Sequence, residues 1–191
     1  MSDSASTPPA DPTPAVPAES VRKPAAPRRK WLSWLGQVLL LVVVYFGVSA
    51  YNERDLIAGT APGFVLSDLD GKPVSLESFR GKRVLLHFWA TWCGVCRREF
   101  GALNDVAAQA GPDAVVLSVV SDADDVERLR QFAKEHDIHY PVLLASDRVV
   151  SNYAVRAFPT NYFLSDTGKI TSKTVGMSTR WGMRARLAFA R

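Results

Sequence analysis

The sequence predicts an α/β domain: a mixed central sheet with helices on both faces, preceded by one transmembrane helix. Three observations predict it. Residues Trp31–Tyr51 form an uncharged apolar run. Arg83–Trp89, with β-branched and aromatic members, and the valine-rich Ala114–Val120 are continuous apolar runs, each followed by an amphipathic helical pattern. A turn at Ser165-Asp166-Thr167-Gly168 splits the last two strand-like segments into an antiparallel hairpin. Parallel strands joined by helices, followed by a hairpin, make a mixed sheet.

The N-terminal segments come first. Residues 1–30 are rich in Pro, Ala, Ser and Thr. They hold almost no large apolar side chains to offset the entropy of ordering, so they are expected to be disordered. The Trp31–Tyr51 run is 21 residues long and spans roughly 31 Å as a helix, enough for a bilayer core. Trp31, Trp34, Tyr45 and Tyr51 lie mostly toward its ends, where interfacial aromatics sit. Arg28-Arg29-Lys30 precedes it, which places the N-terminus in the cytoplasm and residues 52–191 outside. A cleaved signal peptide is the rival reading, with small residues at Val48-Ser49-Ala50, but the run exceeds an ordinary signal core of about 7–15 residues. A buried soluble helix would need a polar face, which the run lacks.

Within 52–191, Asn52–Pro62 reads as a linker. Phe64–Leu66 and Val74 flank the turn Asp68–Lys72, with Asp70-Gly71 at its tip, as a hairpin. Ser75–Phe79 reads as a short helical turn ending at Gly81. Arg83–Trp89 is a strand buried on both faces. Cys96–Gln109 carries Phe100, Leu103, Val106 and Ala107 at helical spacing, stopped by Gly111-Pro112. Ala114–Val120 is the second buried strand. Asp122–His136 reads as a helix capped by Asp122, with Val126, Leu129, Phe132 and Ala133 facing inward. Pro141–Leu144, Asn161–Leu164 and Ile170–Val175 are strands, and Thr179–Ala190 is a terminal helix.

Charge and cysteine content exclude several classes. Lys and Arg number 23 against 19 Asp and Glu. The excess divides evenly between residues 1–30 and residues 52–191. So balanced a domain lacks the electrostatic footprint of a nucleic-acid binder. Two cysteines are too few for a disulfide-stapled scaffold or a Cys-rich structural zinc site.

Those two cysteines carry the chemistry. Trp92-Cys93-Gly94-Val95-Cys96 lies between the strand Arg83–Trp89 and the helix that follows. Cysteines three apart in a first helical turn reach disulfide distance. The unpaired N–H groups and positive end of the helix stabilise a thiolate at Cys93, the expected nucleophile. Cys96, one turn in, is the resolving thiol. A purely structural clip this short would gain little loop entropy.

The stretch Phe88-Trp89-Ala90-Thr91-Trp92-Cys93-Gly94-Val95-Cys96 resembles the active-site strand and motif of the thioredoxin superfamily. Ala61-Pro62-Gly63-Phe64, Asp68–Lys72, Ser75–Lys82 and Arg97-Arg98-Glu99-Phe100 are similar to its membrane-anchored TlpA/ResA-like branch. The tail Thr174–Leu187 is similar to the disulfide oxidoreductases named for suppression of copper sensitivity, D type. The resemblance covers about residues 58–191. It implies a thioredoxin-like fold and a protein-disulfide oxidoreductase needing no cofactor or metal. Its implied partners are periplasmic protein thiols and disulfides and a membrane thiol-electron donor or acceptor, with the chain in a bacterial inner membrane. It also implies a cis Pro159 facing the cysteines, an active-site Glu99, and client contacts at Trp92, Phe158 and Thr160.

Two departures from the thioredoxin pattern bear on mechanism. His87 stands where thioredoxins carry a buried Asp; it either shuttles protons or sits neutral, donating to a backbone group. Gly94-Val95 offers no histidine to stabilise the Cys93 thiolate, which favours a reductase over a strong oxidant. A different class is a copper(I) chaperone with His87, His136 or His139 as a third ligand; such chaperones space their cysteines one residue wider. Peroxiredoxin-type peroxidase chemistry is excluded by Leu86 and by Thr91 lying only two residues before Cys93.

Overall fold

The computed structural model of the protein describes residues 28–122 and 124–191. Of the expected disorder over residues 1–30, residues 1–27 lie outside the described residues, and Arg28–Lys30 are instead helical, continuing the apolar helix toward the N-terminus. The chain divides after Leu41, within its first helix, and the two parts are treated separately.

Helix α1 runs Arg28–Glu53, two to three residues beyond the expected Trp31–Tyr51 at each end. Ser33–Tyr51 is long and apolar enough to cross a membrane, as an anchor or a signal. Trp31, Trp34 and Tyr45 are exposed.

The second part is built on a six-stranded sheet in the order β1-β8-β7-β4-β5-β6. Its strands are β1 (Gly59–Thr60), β4 (Arg83–Trp89), β5 (Ala114–Val120), β6 (Val142–Leu144), β7 (Thr160–Leu164) and β8 (Lys169–Val175). A separate hairpin pairs β2 (Val65–Ser67) with β3 (Pro73–Ser75). Gly71 sits at its turn with φ +78°, a conformation that favours glycine. The pairs β4·β5 and β5·β6 are parallel; β4·β7, β7·β8 and β1·β8 are antiparallel. The mixed sheet is therefore as the sequence predicts.

Helices cover both faces. On one face lie α2 (Gly94–Ala108), α3 (Val126–Glu135) and α5 (Arg180–Ala188). They pack Phe100, Leu103, Leu129, Met183 and Leu187 against Leu85, Trp89, Val116 and Phe163. Trp89 stacks on Phe132 and meets Phe100 edge-on. On the other face lie the 3-10 turn Leu76–Phe79, helix α4 (Asp147–Asn152) and the hairpin. There Tyr153 packs among Phe64, Phe88 and Tyr162.

The structure corrects the expected elements at three places. The segment read as a linker contributes β1, whose Gly59 and Thr60 pair with Ile170 and Lys169; two residues are too few to show alternation. Helix α4 is six residues long, capped by the Ser146 hydroxyl, and too short for a helical period to register. Helix α3 starts at Val126 with Asp125, not Asp122, as its cap: the Asp125 carboxylate accepts from the Arg128 N–H.

One row of this sheet is polar. Ser118 of β5 is paired with His87 of β4, His87 with Asn161 of β7, and Asn161 with Thr174 of β8. All four are buried. His87 alternates with Leu86 and Phe88 and so faces the α2 side, with Leu85 and Trp89. A polar row inside an apolar sheet is costly unless its groups find partners; here they find them within the row, at the Pro141 carbonyl and at Ser178.

Candidate active site

The loop leaving β4 delivers the cysteines. Thr91 is pinned by Asp122: its N–H donates to the carboxylate at 2.9 Å, and its hydroxyl also donates to that carboxylate. Asp122 thus braces the approach to the motif instead of capping α3. Cys93 is the N-cap of α2, and its Sγ accepts from the Cys96 N–H at 3.1 Å. Cys93 and Cys96 form a disulfide, with Cα atoms 5.3 Å apart. Cys93 keeps 5% exposure and Cys96 none. The sulfur at the unpaired N–H end of the helix is the one better placed to be a stabilised thiolate.

The Phe158–Pro159 peptide bond is cis. The Pro159 carbonyl accepts from the Gly176 N–H at 2.8 Å, tying this turn to the end of β8. Trp92 meets Phe158 edge to face, with ring centroids 5.7 Å apart. Among the expected client-contact residues, Trp92 is 68% exposed, Phe158 is half-buried and Thr160 is buried. The Thr160 hydroxyl is taken by the Ala157 carbonyl at 2.7 Å.

Behind the disulfide, Glu99 lies one turn beyond Cys96 on α2 and is 1% exposed. One oxygen, Oε1, accepts from the Ser178 backbone N–H. The other, Oε2, has no hydrogen-bond partner and stands 3.9 Å from His87 Nδ1. Burial raises the Glu99 pKa to about 7, against the lowering effect of the Ser178 N–H. Burial lowers the His87 pKa to about 4, partly offset by its hydrogen bond to Asn161. At neutral pH His87 is therefore uncharged, while Glu99 titrates near the middle of the physiological range.

His87 makes its bond not to a backbone group but to the Asn161 side chain, Nδ1 to Oδ1 at 2.7 Å. Asn161 and Ser178 did not emerge from the sequence reading. The signal for Asn161 was an Asn at the head of the apolar strand Asn161–Leu164. Ser178 acts through its backbone, which no residue type reveals.

The remaining histidines lie elsewhere. His136 packs on Phe132, with ring centroids 4.2 Å apart, and His139 Nε2 pairs with Asp137 at 2.9 Å. Among the described residues, no group of three or more His, Cys, Asp or Glu is arranged to hold a metal ion.

Comparison with known proteins agrees with this geometry. The model of the AhpC/TSA family matches residues 57–173. The chain belongs to the AhpC/TSA family. Among relatives, it is 34% identical over 167 residues to the thioredoxin-like protein YneN of Bacillus subtilis, covering 83% of this chain and 97% of the relative. It is 32% identical over 139 residues to the thiol-disulfide oxidoreductase ResA of Bacillus cereus, covering 72% and 80%. Among solved structures, a putative thiol:disulfide interchange protein DsbE from Chlorobium tepidum superposes with a TM-score of 0.65 at 27% identity, covering 71% and 98%. The exposed lipoprotein thioredoxin Etrx1 of Streptococcus pneumoniae superposes with a TM-score of 0.59 at 30% identity, covering 66% and 98%. The thioredoxin-like fold stands on these matches. With a disulfide at the head of α2, this AhpC/TSA family member is a protein-disulfide oxidoreductase.

Proposed function

We propose that the protein is a membrane-anchored reductase of protein disulfides on the periplasmic side of a bacterial inner membrane. The observation that carries this reading is the Cys93–Cys96 pair at the N-terminus of α2, with the buried Glu99 carboxyl one turn further in. In the reduced enzyme, the Cys93 thiolate attacks a client disulfide. A Cys93–client mixed disulfide forms and one client thiolate leaves. Glu99 takes the proton from Cys96. The Cys96 thiolate then attacks Cys93 Sγ, closing the Cys93–Cys96 bond and releasing the second client thiolate. The client gains two electrons and the enzyme loses two. The proton from Cys96, returned through Glu99, and one from solvent complete the client dithiol.

The next turnover needs two electrons from a thiol donor, which for an anchored enzyme is a membrane partner. Gly94-Val95 supports the reductase direction, because no imidazolium sits between the cysteines to over-stabilise the reduced form. Pro159 and Phe158 shape the surface beside Cys93, and Trp92 supplies exposed apolar area for client chains. Thr160 supports that surface from beneath, holding the Ala157 carbonyl.

Trapping tests the reading. Cys96→Ala should accumulate mixed disulfides with client proteins through Cys93, released by a reducing agent. If Cys93→Ala traps and Cys96→Ala does not, the roles are reversed and the proposal fails.

A further inference from the structure

A chain of mostly buried polar groups runs from His87 through three residues to Glu99. His87 Nδ1 meets Asn161 Oδ1 at 2.7 Å. Asn161 Nδ2 donates to Thr174 Oγ1 at 3.3 Å, and Thr174 Oγ1 meets Ser178 Oγ at 3.2 Å. The Ser178 N–H donates to Glu99 Oε1, and Glu99 Oε2 faces His87 Nδ1 at 3.9 Å. The chain of groups draws on four separate elements: β4, β7, the end of β8 with the loop behind it, and α2.

We infer that Asn161 is a positioning residue for disulfide exchange: it locks His87 as the neutral Nδ1–H tautomer and claims that hydrogen, so that His87 neither donates to the Glu99 carboxyl nor carries a proton to or from Cys96. This deepens the proposed role of Glu99 and rests on it.

The tautomer follows from two observations taken together. An amide oxygen only accepts, so a ring nitrogen against Asn161 Oδ1 carries the hydrogen; the Thr174 hydroxyl at the other end of the amide can donate or accept and does not by itself orient it. What fixes the orientation is His87 Nε2, which is buried with no partner. A buried N–H without an acceptor is rare, whereas a bare acceptor without a donor is tolerated more often. Nδ1–H satisfies both conditions. Ser118, the other neighbour of His87 in the polar row, gives its hydroxyl to the Pro141 carbonyl at 3.2 Å.

The consequence falls on Glu99. With Oε1 held by Ser178, the proton of the neutral carboxyl sits on Oε2. The 3.9 Å separation from His87 Nδ1 is beyond hydrogen-bond reach, as expected of an N–H committed to Asn161. When Glu99 ionises, the His87 N–H stays on Asn161, so Oε2 gains no donor from the imidazole and burial keeps the Glu99 pKa raised. The other titratable groups around Glu99 are Cys96 on its own helix and Tyr140 before β6, whose phenol burial keeps protonated. From α5, the buried residues Met183 and Leu187 are apolar.

Histidine 15N NMR on the full-length oxidised protein in detergent tests this directly. Wild type should show His87 Nδ1 protonated and Nε2 bare, unchanged across about pH 5–9. Asn161→Ala should release that tautomer. It should also move the pH midpoint of disulfide exchange downward by about half a unit or more, as the freed His87 N–H turns to the Glu99 anion. Thr174→Val keeps the fold-compatible shape at β8 but frees the amide to turn over. It should populate the Nε2–H tautomer in part. An Nε2–H or doubly protonated His87 in wild type at neutral pH overturns the inference. So does an Asn161→Ala or Thr174→Val spectrum identical to wild type. Because the spectrum reads the ring without reference to turnover, a failure of Glu99 as the proton carrier would appear separately, in the rate of Glu99→Gln.

Discussion

His87 Nδ1 and Glu99 Oε2 stand 3.9 Å apart, both shut off from solvent, and burial drives their pKa values in opposite directions, to about 4 and about 7. Each group pulls on stability with opposite sign. Between roughly pH 4.5 and 7 the folded protein keeps a proton on Glu99 that the unfolded chain has lost, so the Glu99 contribution to stability falls as pH rises. Between roughly pH 4 and 6.5 the folded protein keeps His87 neutral while the unfolded chain protonates it, so the His87 contribution rises with pH.

The two slopes oppose each other in wild type, and single substitutions expose them. Relative to wild type, Glu99→Gln should gain stability progressively from pH 4.5 to 7. His87→Asn should show its relative advantage at acid pH and lose it by pH 6.5. Each change is on the order of 1–3 kcal/mol across its window. Urea midpoints of the oxidised protein at four pH values check this. Parallel curves for wild type and both variants would show that neither group has a perturbed pKa.

Glu99 should act as an acid when the disulfide is reduced. A donor thiolate bonds to Cys93 Sγ, the Cys93–Cys96 bond breaks, and the electron pair leaves on Cys96, which takes the Glu99 proton. At fixed donor thiolate concentration, the rate should fall as pH rises through about 7, where Glu99 loses that proton. Positioned acids commonly contribute about 10²–10⁴-fold. With His87 held out of the transfer, Glu99→Gln should lose at least the lower part of that range and the pH inflection with it. A Gln variant matching wild type across pH 5–9 would make Glu99 a structural acid.

Trp92 projects 68% exposed beside Cys93 and touches Phe158. Trp92→Ala should raise KM for a protein disulfide by about tenfold, the worth of losing roughly 1.4 kcal/mol of apolar contact. Its effect on a small disulfide substrate should be slight. Equal losses on both substrates would mean that Trp92 holds the cysteine loop instead of contacting clients.

Asp122 braces Thr91 through both its N–H and its hydroxyl. Asp122→Ala leaves a partly buried donor unpaired, a cost of about 1–3 kcal/mol. Thermal unfolding should reveal the loss, and alkylation of reduced Cys93 should change as its loop loosens. An unchanged Tm would show that water replaces the carboxylate.

The anchor expectation is tested in the cell. Full-length chain should stay in membrane fractions, and protease added to spheroplasts should remove residues beyond the span. A soluble form beginning near Tyr51 would show α1 to be a cleaved signal.

Much of the fold was legible because β4, β5, α2 and the β7–β8 hairpin are specified by local pattern: continuous apolar runs, helical spacing and a Gly-containing turn. The Cys93–Cys96 motif was legible for the same reason, since its chemistry needs only a helix start and a three-residue spacing. Elements that depend on distant partners were not. Gly59 and Thr60 become a strand only because β8 offers an open edge. Asp122 has the residue type and position of a helix cap, and only the approach of Thr91, 31 positions earlier, claims its carboxylate. The buried polar network is the extreme case. His87, Glu99, Asn161, Thr174 and Ser178 are scattered over 92 sequence positions, and nothing in local pattern joins them. Sheet register places His87 beside Asn161 and Asn161 beside Thr174, and packing of α2 brings Glu99 to the Ser178 N–H. The sequence alone determined which residues can ionise. The tertiary structure decided which of them do so at neutral pH, because desolvation and an oriented neighbour exist only once the chain has closed around them.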